Sequence, residues 1–322
     1  MARMSKVLIF TEGGEDIGFG HITRCLSLCQ AFESAGVKAQ MVVKGKRLPV
    51  ELFDNADFRI MDWIERADEF AGSPDIVIID SYLASLEVYL KFSRRKNIKL
   101  AVIDDYKRLN YPPSIIINPS LYGGKIDYGP SDATVLAGRE YIILRREFWD
   151  VEEKIINKNV KNILVTLGGT NESRRIYPAI EGLNREYGLN ISYVNPAEGI
   201  LPAVRIKALM AGADIAISGG GQTIYELARA GLPAIAVCFA QNQLANLNAA
   251  GKEGIVDFVG WYDQRDLSFK LKEALGRLFS YELRREMSRK GRECVDGRGA
   301  KNIVKRLLES AVVNSSDAAM QQ

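Results

Sequence analysis

Histidine is nearly missing from this chain: its 322 residues contain one, His21. A lone histidine without clustered partners excludes a histidine-rich metal centre, so no metal site is expected. Cysteine is scarce too. Cys25, Cys29, Cys238 and Cys294 form no C-x-x-C pair, and the one-turn step from Cys25 to Cys29 offers only half a ligand set. They read as small buried hydrophobes of a reduced, cytoplasmic protein. Neither sign of charge is in excess. With 43 basic and 40 acidic residues the net is +3, too little to argue for nucleic acid as a partner. Two basic stretches, Ser93–Lys96 and Arg284–Lys290, read as solvated helix faces. No apolar run is long enough for a secretory leader or a bilayer span, so no membrane insertion is expected. The start, Met1 to Val7, runs straight into a strand-like segment.

What the chain does have is alternation. Its 47% hydrophobic and 26% charged residues describe a globular chain, and its length suits two domains of roughly 150 residues each. Short apolar runs recur at Lys6–Phe10, Ala39–Val43, Asp75–Ile79, Leu100–Ile103 and Ile115–Ile117. Strands apolar on both faces are covered on both faces, which predicts a parallel sheet between helix layers. Helical spacing of Ile22, Leu26, Cys29 and Phe32, and the segment Ala84–Arg95, supply crossover helices. A charged stretch from Asp150 to Lys161 reads as a linker or a helix beside a hinge. A second series of strands then follows at Asn162–Leu167, Ile191–Val194, Asp214–Ile217 and Pro233–Val237. The expected architecture is α/β, two Rossmann-like domains facing across a cleft, over residues 1–150 and 151–311, with a frayed tail at 312–322.

Three strand ends run into glycine turns: Gly13–His21, Gly168-Gly169-Thr170 and Ser218–Thr223. Glycine lets backbone approach a ligand closely, and a helix N-terminus behind the turn suits a phosphate. None ends in G-K-[ST], which argues against triphosphate hydrolysis. Gly18-Phe19-Gly20 continues to Thr23 where a third glycine would stand, and no acid ends the second strand, which disfavours a dinucleotide oxidoreductase. Glu226 lies one helical turn after Gln222 among apolar neighbours, placed to accept bonds from ribose hydroxyls. His21 follows Gly18-Phe19-Gly20 at a helix start, where the neutral imidazole that a general base requires is favoured. Base catalysis on water or a hydroxyl is its natural chemistry.

The string Ile17–Leu26 (IGFGHITRCL) resembles the I-G-x-G-H-x-x-R-C-L motif of the nucleotide-sugar hydrolases of pseudaminic acid biosynthesis, to which spore-coat polysaccharide proteins are related. These hydrolases release UDP from UDP-2,4-diacetamido-2,4,6-trideoxy-β-L-altropyranose. Asp80-Ser81-Tyr82 is similar to the family's D-x-Y, Ile103-Asp104-Asp105 to its I-D-D, and Leu144–Phe148 to its L-R-x-E-F. Leu167–Thr170 is similar to its L-G-G-[ST], Ser218–Leu227 to its glycine- and glutamate-bearing segment, and Gln241-Asn242-Gln243 to its N-Q element. The likeness runs in order from about residue 5 to 300. It implies the GT-B fold of glycosyltransferases and a site without metal or cofactor. UDP would lie with its diphosphate near Gly219, Gly220, Gly221 and Gln222 and its ribose on Glu226. His21 would activate the attacking water, Tyr82 would orient substrate or water, and Asn242 and Gln243 would contact the sugar. Glu12, Gly18, Gly20, Arg24 and Asp105, with Gly168, Gly169 and Thr223, complete the expected substrate contacts. Phe10 and Glu12 stand where the family carries an arginine and an aspartate. The sugar therefore stays open, as do the base, the oligomeric state and the choice between water and a sugar hydroxyl as acceptor.

Overall fold

The strand Val7–Glu12 (β1) is buried at every position, because both faces of its sheet are covered. A computed structural model describes residues 6–14, 17–53, 56–70, 74–129, 133–168, 171–195 and 201–319. The chain divides into two compact units, 1–145 with 298–322, and 146–297.

In the first unit β1 leads through a glycine turn into Gly20–Ser34 (α1), which buries Ile22, Cys25, Leu28, Cys29 and Phe32. That helix stops at Gly36, whose φ of 76° lets Val37 N–H turn back to the Phe32 carbonyl at 2.9 Å. Next come Ala39–Lys44 (β2), Asp57–Ile60 (β3), Ile76–Asp80 (β4), Leu86–Ser93 (α2), Lys99–Ile103 (β5), Ile115–Asn118 (β6) and Thr134–Ala137 (β7). Among the described residues these strands form one seven-stranded sheet in the order β3-β2-β1-β4-β5-β6-β7, parallel at each pairing. The chain leaves β1 towards β2 and later resumes on its other side at β4, so the sheet has its switch point between β1 and β4. Ligands of doubly wound sheets bind at the carboxyl ends of strands flanking that point.

The second unit repeats the plan. Asn162–Thr166 (β8), Tyr177–Tyr187 (α3), Asn190–Tyr193 (β9), Ala203–Gly212 (α4), Ile215–Gly219 (β10), Thr223–Ala230 (α5), Ala234–Cys238 (β11), Gln241–Glu253 (α6) and Asp257–Trp261 (β12) follow in turn. The helices Leu267–Leu278 (α7) and Tyr281–Cys294 (α8) come after them. Its parallel sheet has the order β12-β11-β10-β8-β9, with the switch point between β8 and β10.

Three expectations are revised. The charged stretch at 150–161 belongs to the second unit. Arg284 donates to the Asn157 and Lys158 carbonyls, Arg292 to those of Val151 and Glu152, and Asp214 accepts from the Lys161 and Asn162 amides. Such a strap satisfies its backbone through side chains where no ladder is available. For the same reason Arg284, read as part of a solvated face, is 0% exposed. Finally, the last helix, Gly299–Ala319 (α9), lies in the first unit and extends through most of the expected tail. It buries Ala300, Ile303, Val304 and Leu307 there, with Lys99 Nζ donating to the Leu307 carbonyl.

Candidate active site

His21 and Arg24 lie three positions apart on α1, so they share a face, and that face meets the carboxyl end of β4. His21 Nδ1 is 2.7 Å from Asp80 Oδ1. Arg24 grips the same carboxylate with Nε to Oδ2 and Nη2 to Oδ1, both at 2.5 Å. Its Nη1 lies 2.9 Å from each oxygen of Asp105, and Tyr82 Oη donates to Asp105 Oδ2 at 2.6 Å. The His21 and Tyr82 rings meet edge to face with centroids 4.4 Å apart. Five side chains from α1 and the ends of β4 and β5 are thus joined at the switch point of the first unit.

The electrostatics fix the protons. Burial raises the Asp80 carboxyl, but Arg24 and His21 outweigh it and hold Asp80 well below the usual carboxylate range. An ionised Asp80 only accepts, so His21 carries its proton on Nδ1 and donates it there. Arg24 Nη2, 3.2 Å from the same nitrogen, is then a neighbour rather than a hydrogen-bond donor to it. In the neutral tautomer that this bond selects, the lone pair is on Nε2, which bonds to no described residue and is not among the buried polar atoms left without a partner. Burial works against the Arg24 guanidinium, but Asp105 and Asp80 outweigh it and keep its pKa well above the ordinary value. Burial and then Asp105 push the Tyr82 phenol far up, so it stays protonated. This arrangement can take a proton at Nε2 and stabilise the resulting imidazolium through Asp80.

Other expected residues have different duties. Arg24, expected on the substrate, directs its donors at two carboxylates. Glu12 is 0% exposed and clamps the turn after β4. Its Oε1 accepts from Tyr82 N at 2.6 Å and Leu83 N at 3.2 Å, and its Oε2 from Ser81 Oγ. Phe10 lies in the core, its ring 5.0–5.4 Å from those of Trp63, Phe70 and Phe92. Asp104 holds its own loop, accepting from Lys107 N, Arg108 N, Tyr111 and Tyr128. Gly18 has φ of 81° and exchanges backbone bonds with Gly14 at 2.7 and 3.2 Å, closing the turn before Gly20. Asp80 was missed as a partner of His21; its signal is an acid ending the strand across the switch point from the one that leads into the histidine helix.

In the second unit the glycine turns converge on the β8/β10 switch point. A Cβ on Gly219 would stand 2.8 Å from the Leu167 carbonyl oxygen, and one on Gly220 would stand 2.5 Å from Leu247 and 3.0 Å from Gln243. So Gly219 and Gly220 are demanded by close packing, which brings the β10 turn against the β8 turn and the start of α6. Gly221 faces open space. Gly168 has φ of 88°; Gly169 lies outside the described residues. Gln222 and Thr223 open α5, and Glu226 sits in its first turn, 3% exposed. Gln243 accepts from Phe239 N at 3.0 Å, and Asn242 beside it is exposed. Among the described residues no three histidine, cysteine, aspartate or glutamate side chains are grouped to hold a metal.

Comparison with known proteins bears on this pairing of sites. Residues 163–307 match the glycosyltransferase family 28 C-terminal domain. The chain is 27% identical, over 70% of its length, to a Helicobacter pylori protein named pseudaminic acid cytidylyltransferase and UDP-2,4-diacetamido-2,4,6-trideoxy-beta-L-altropyranose hydrolase. It is 23% identical, over 90% of its length and 94% of the relative's, to the Bacillus subtilis spore coat polysaccharide biosynthesis protein SpsG. The chain has the GT-B fold and is similar in sequence to proteins named as pseudaminic-acid nucleotide-sugar hydrolases. It spans about half the length of some curated relatives it matches, 43% of the Helicobacter protein and 56% of another. Among solved structures, S. aureus MnaA in a co-structure with UDP superposes with a TM-score of 0.65 at 14% identity, covering 94% of this chain and 96% of that one. This GT-B chain therefore has a charged histidine site on its first unit and a glycine-lined site on its second. Among the described residues no helix is long and apolar enough to cross a membrane.

Proposed function

We propose that the chain is a nucleotide-sugar hydrolase acting without a metal. The observation that carries this is His21: Nδ1 is fixed by Asp80 and Nε2 is left bare. The nucleotide is held by the second unit, its diphosphate at Gly168 and the Gly219–Thr223 turn and its ribose at Glu226. Asn242 and Gln243 contact the sugar, and His21 is the base for the water that attacks it. A water gives one proton to Nε2 as its oxygen bonds to the anomeric carbon. The bond from that carbon to the diphosphate breaks, with its electron pair leaving on the UDP oxygen. The histidine then returns its proton to solvent.

What supports UDP and a diacetamido-trideoxyhexose is the naming of relatives as hydrolases of that compound. The reading places the chain in surface nonulosonic-acid or polysaccharide synthesis. Cys25, Cys29, Cys238 and Cys294 are buried and form no disulfide, which supports a reducing, cytoplasmic setting. The test is UDP release from UDP-2,4-diacetamido-2,4,6-trideoxy-β-L-altropyranose with no acceptor present. Release by the native protein and its loss in His21→Ala are expected; equal release by both, or none by the native protein, overturns the reading. The match to a glycosyltransferase domain favours a second reading, transfer to a sugar hydroxyl, and UDP release strictly dependent on an added acceptor would establish it.

A further inference from the structure

We infer that Asp105 and Tyr82 make the nucleophile's seat a pair of hydrogen-bond acceptors and thereby select water over an acceptor hydroxyl. The inference rests on the hydrolase reading and sharpens it. A phenol has one hydrogen, and that of Tyr82 is committed to Asp105 Oδ2 at 2.6 Å. Asp105 returns no donor, because both its oxygens accept from Arg24 Nη1 at 2.9 Å and Oδ2 accepts from the phenol as well. Tyr82 Oη therefore offers its ligand only lone pairs. The neighbouring ring, 4.4 Å away centroid to centroid, is His21, whose Nε2 also offers only a lone pair.

A water between them satisfies both. One hydrogen goes to Nε2 and is transferred as the oxygen bonds to the anomeric carbon; the other is donated to Tyr82 Oη and stays on the hydroxyl of the released sugar. An alcohol has a single hydrogen. Once that is given to His21 it leaves Tyr82 Oη facing an oxygen with nothing to donate, and a half-buried acceptor without its bond is unfavourable. A site built around a hydrogen bond discriminates against the analogue that lacks it. Asp105 is the positioning residue of this device. It never reaches the nucleophile, yet it decides that Tyr82 accepts.

The experiment is product partition. The protein turns over UDP-2,4-diacetamido-2,4,6-trideoxy-β-L-altropyranose in water containing methanol, and free sugar and methyl glycoside are quantified by mass spectrometry. The native protein is expected to yield far less methyl glycoside than the methanol-to-water ratio dictates. Tyr82→Phe, which removes the second acceptor, is expected to raise the ratio of glycoside to free sugar about tenfold, the worth of one hydrogen bond. Asp105→Asn shifts it the same way, since its amide can donate to the phenol and turn the phenolic hydrogen outward. The ratio is set within each turnover, so a misfolded fraction does not move it. Native partition in proportion to concentration overturns the inference while leaving hydrolysis intact. So does an unchanged ratio in both variants with a raised KM, which would put Tyr82 on the sugar instead. Absence of UDP release by the native protein overturns the hydrolase reading itself.

Discussion

Replacing Asp80 by asparagine changes one atom of a buried side chain and should silence the site through a neighbour. The carboxylate takes His21 Nδ1–H and Arg24 Nη2–H on one oxygen and Arg24 Nε–H on the other. An amide keeps one acceptor and adds two donors. With its oxygen towards His21, its nitrogen opposes Arg24 Nε. With its nitrogen towards His21, the imidazole must accept at Nδ1 and carry its proton on Nε2, the tautomer that cannot act as a base. In either orientation the negative charge that stabilises the imidazolium is gone. In a serine-protease triad the same substitution costs about four orders of magnitude in kcat, and a fall of roughly 10²–10⁴ is expected for Asp80→Asn.

Stability should fall as well, by a bounded amount. Removing one partner of a buried ion pair costs about 3–5 kcal/mol. Asp105 remains on Arg24 Nη1 at 2.9 Å, so the expected loss is at the lower end, about 3 kcal/mol. Asp80 touches no substrate in this scheme, so KM should hold while kcat drops. UDP release under saturating donor gives kcat, and urea unfolding of the same preparation gives stability. An Asp80→Asn protein that is folded and retains near-native kcat would refute the reasoning, because the tautomer of His21 would then not depend on Asp80.

Four further outcomes follow from the same geometry. Glu12→Ala strips the clamp from Ser81, Tyr82 N and Leu83 N and should lower stability by about 2–4 kcal/mol in urea, since each buried group left unsatisfied costs about 1–3 kcal/mol. Gly221→Ala meets open space, so the thermal midpoint should stay native while calorimetry shows UDP binding weakened. Retained UDP affinity there would remove the diphosphate from this turn. Gly219→Ala sets a Cβ 2.8 Å from the Leu167 carbonyl oxygen, which cannot step aside, and should destabilise the fold as well as the site, by about 1–3 kcal/mol in the same unfolding assay. Burial pushes the Cys29 thiol up to about 12 and raises that of Cys25 well above its usual value, so a thiol reagent at neutral pH should label neither until the protein is unfolded.

Legibility in the sequence tracked burial. Strands buried at every position and mostly apolar, such as β1, β4, β10 and β11, stand out because both faces are covered. Asp57–Ile60, Thr134–Ala137 and Asp257–Trp261 escape, since edge strands bury little and carry no run to see. The return of α9 to the first unit is likewise silent, because nothing local in Gly299–Leu307 says which core its apolar stripe meets. At the site, His21 is legible from its place after a glycine turn, but its bond to Asp80 spans 59 positions and exists only because β1 and β4 pair. Glu12 was readable and misread. Strand alternation puts it on the face of Leu8 and Phe10, both core residues, so its carboxylate points into the fold and its duty is to the turn.

The two switch points also differ in a way that bears on which unit takes the phosphates. In the first, the ends of β4 and β5 bring Asp80 and Asp105 to the switch point, and the single Arg24 guanidinium between them offsets only part of that charge. A diphosphate set there would face carboxylates at short range with little water between, where repulsion is strong. In the second, Thr166–Gly168, Gly219–Thr223 and Cys238–Gln243 contain no acid, and the Gly219–Thr223 turn stands at the N-terminal, positive end of the α5 dipole. Anionic leaving group and basic histidine therefore suit opposite units. Asp80, one of the acids that would expel UDP from the first unit, is also the one that holds Nδ1 of His21 and stabilises its protonated form, so charge that excludes the leaving group from that edge also makes the histidine a base.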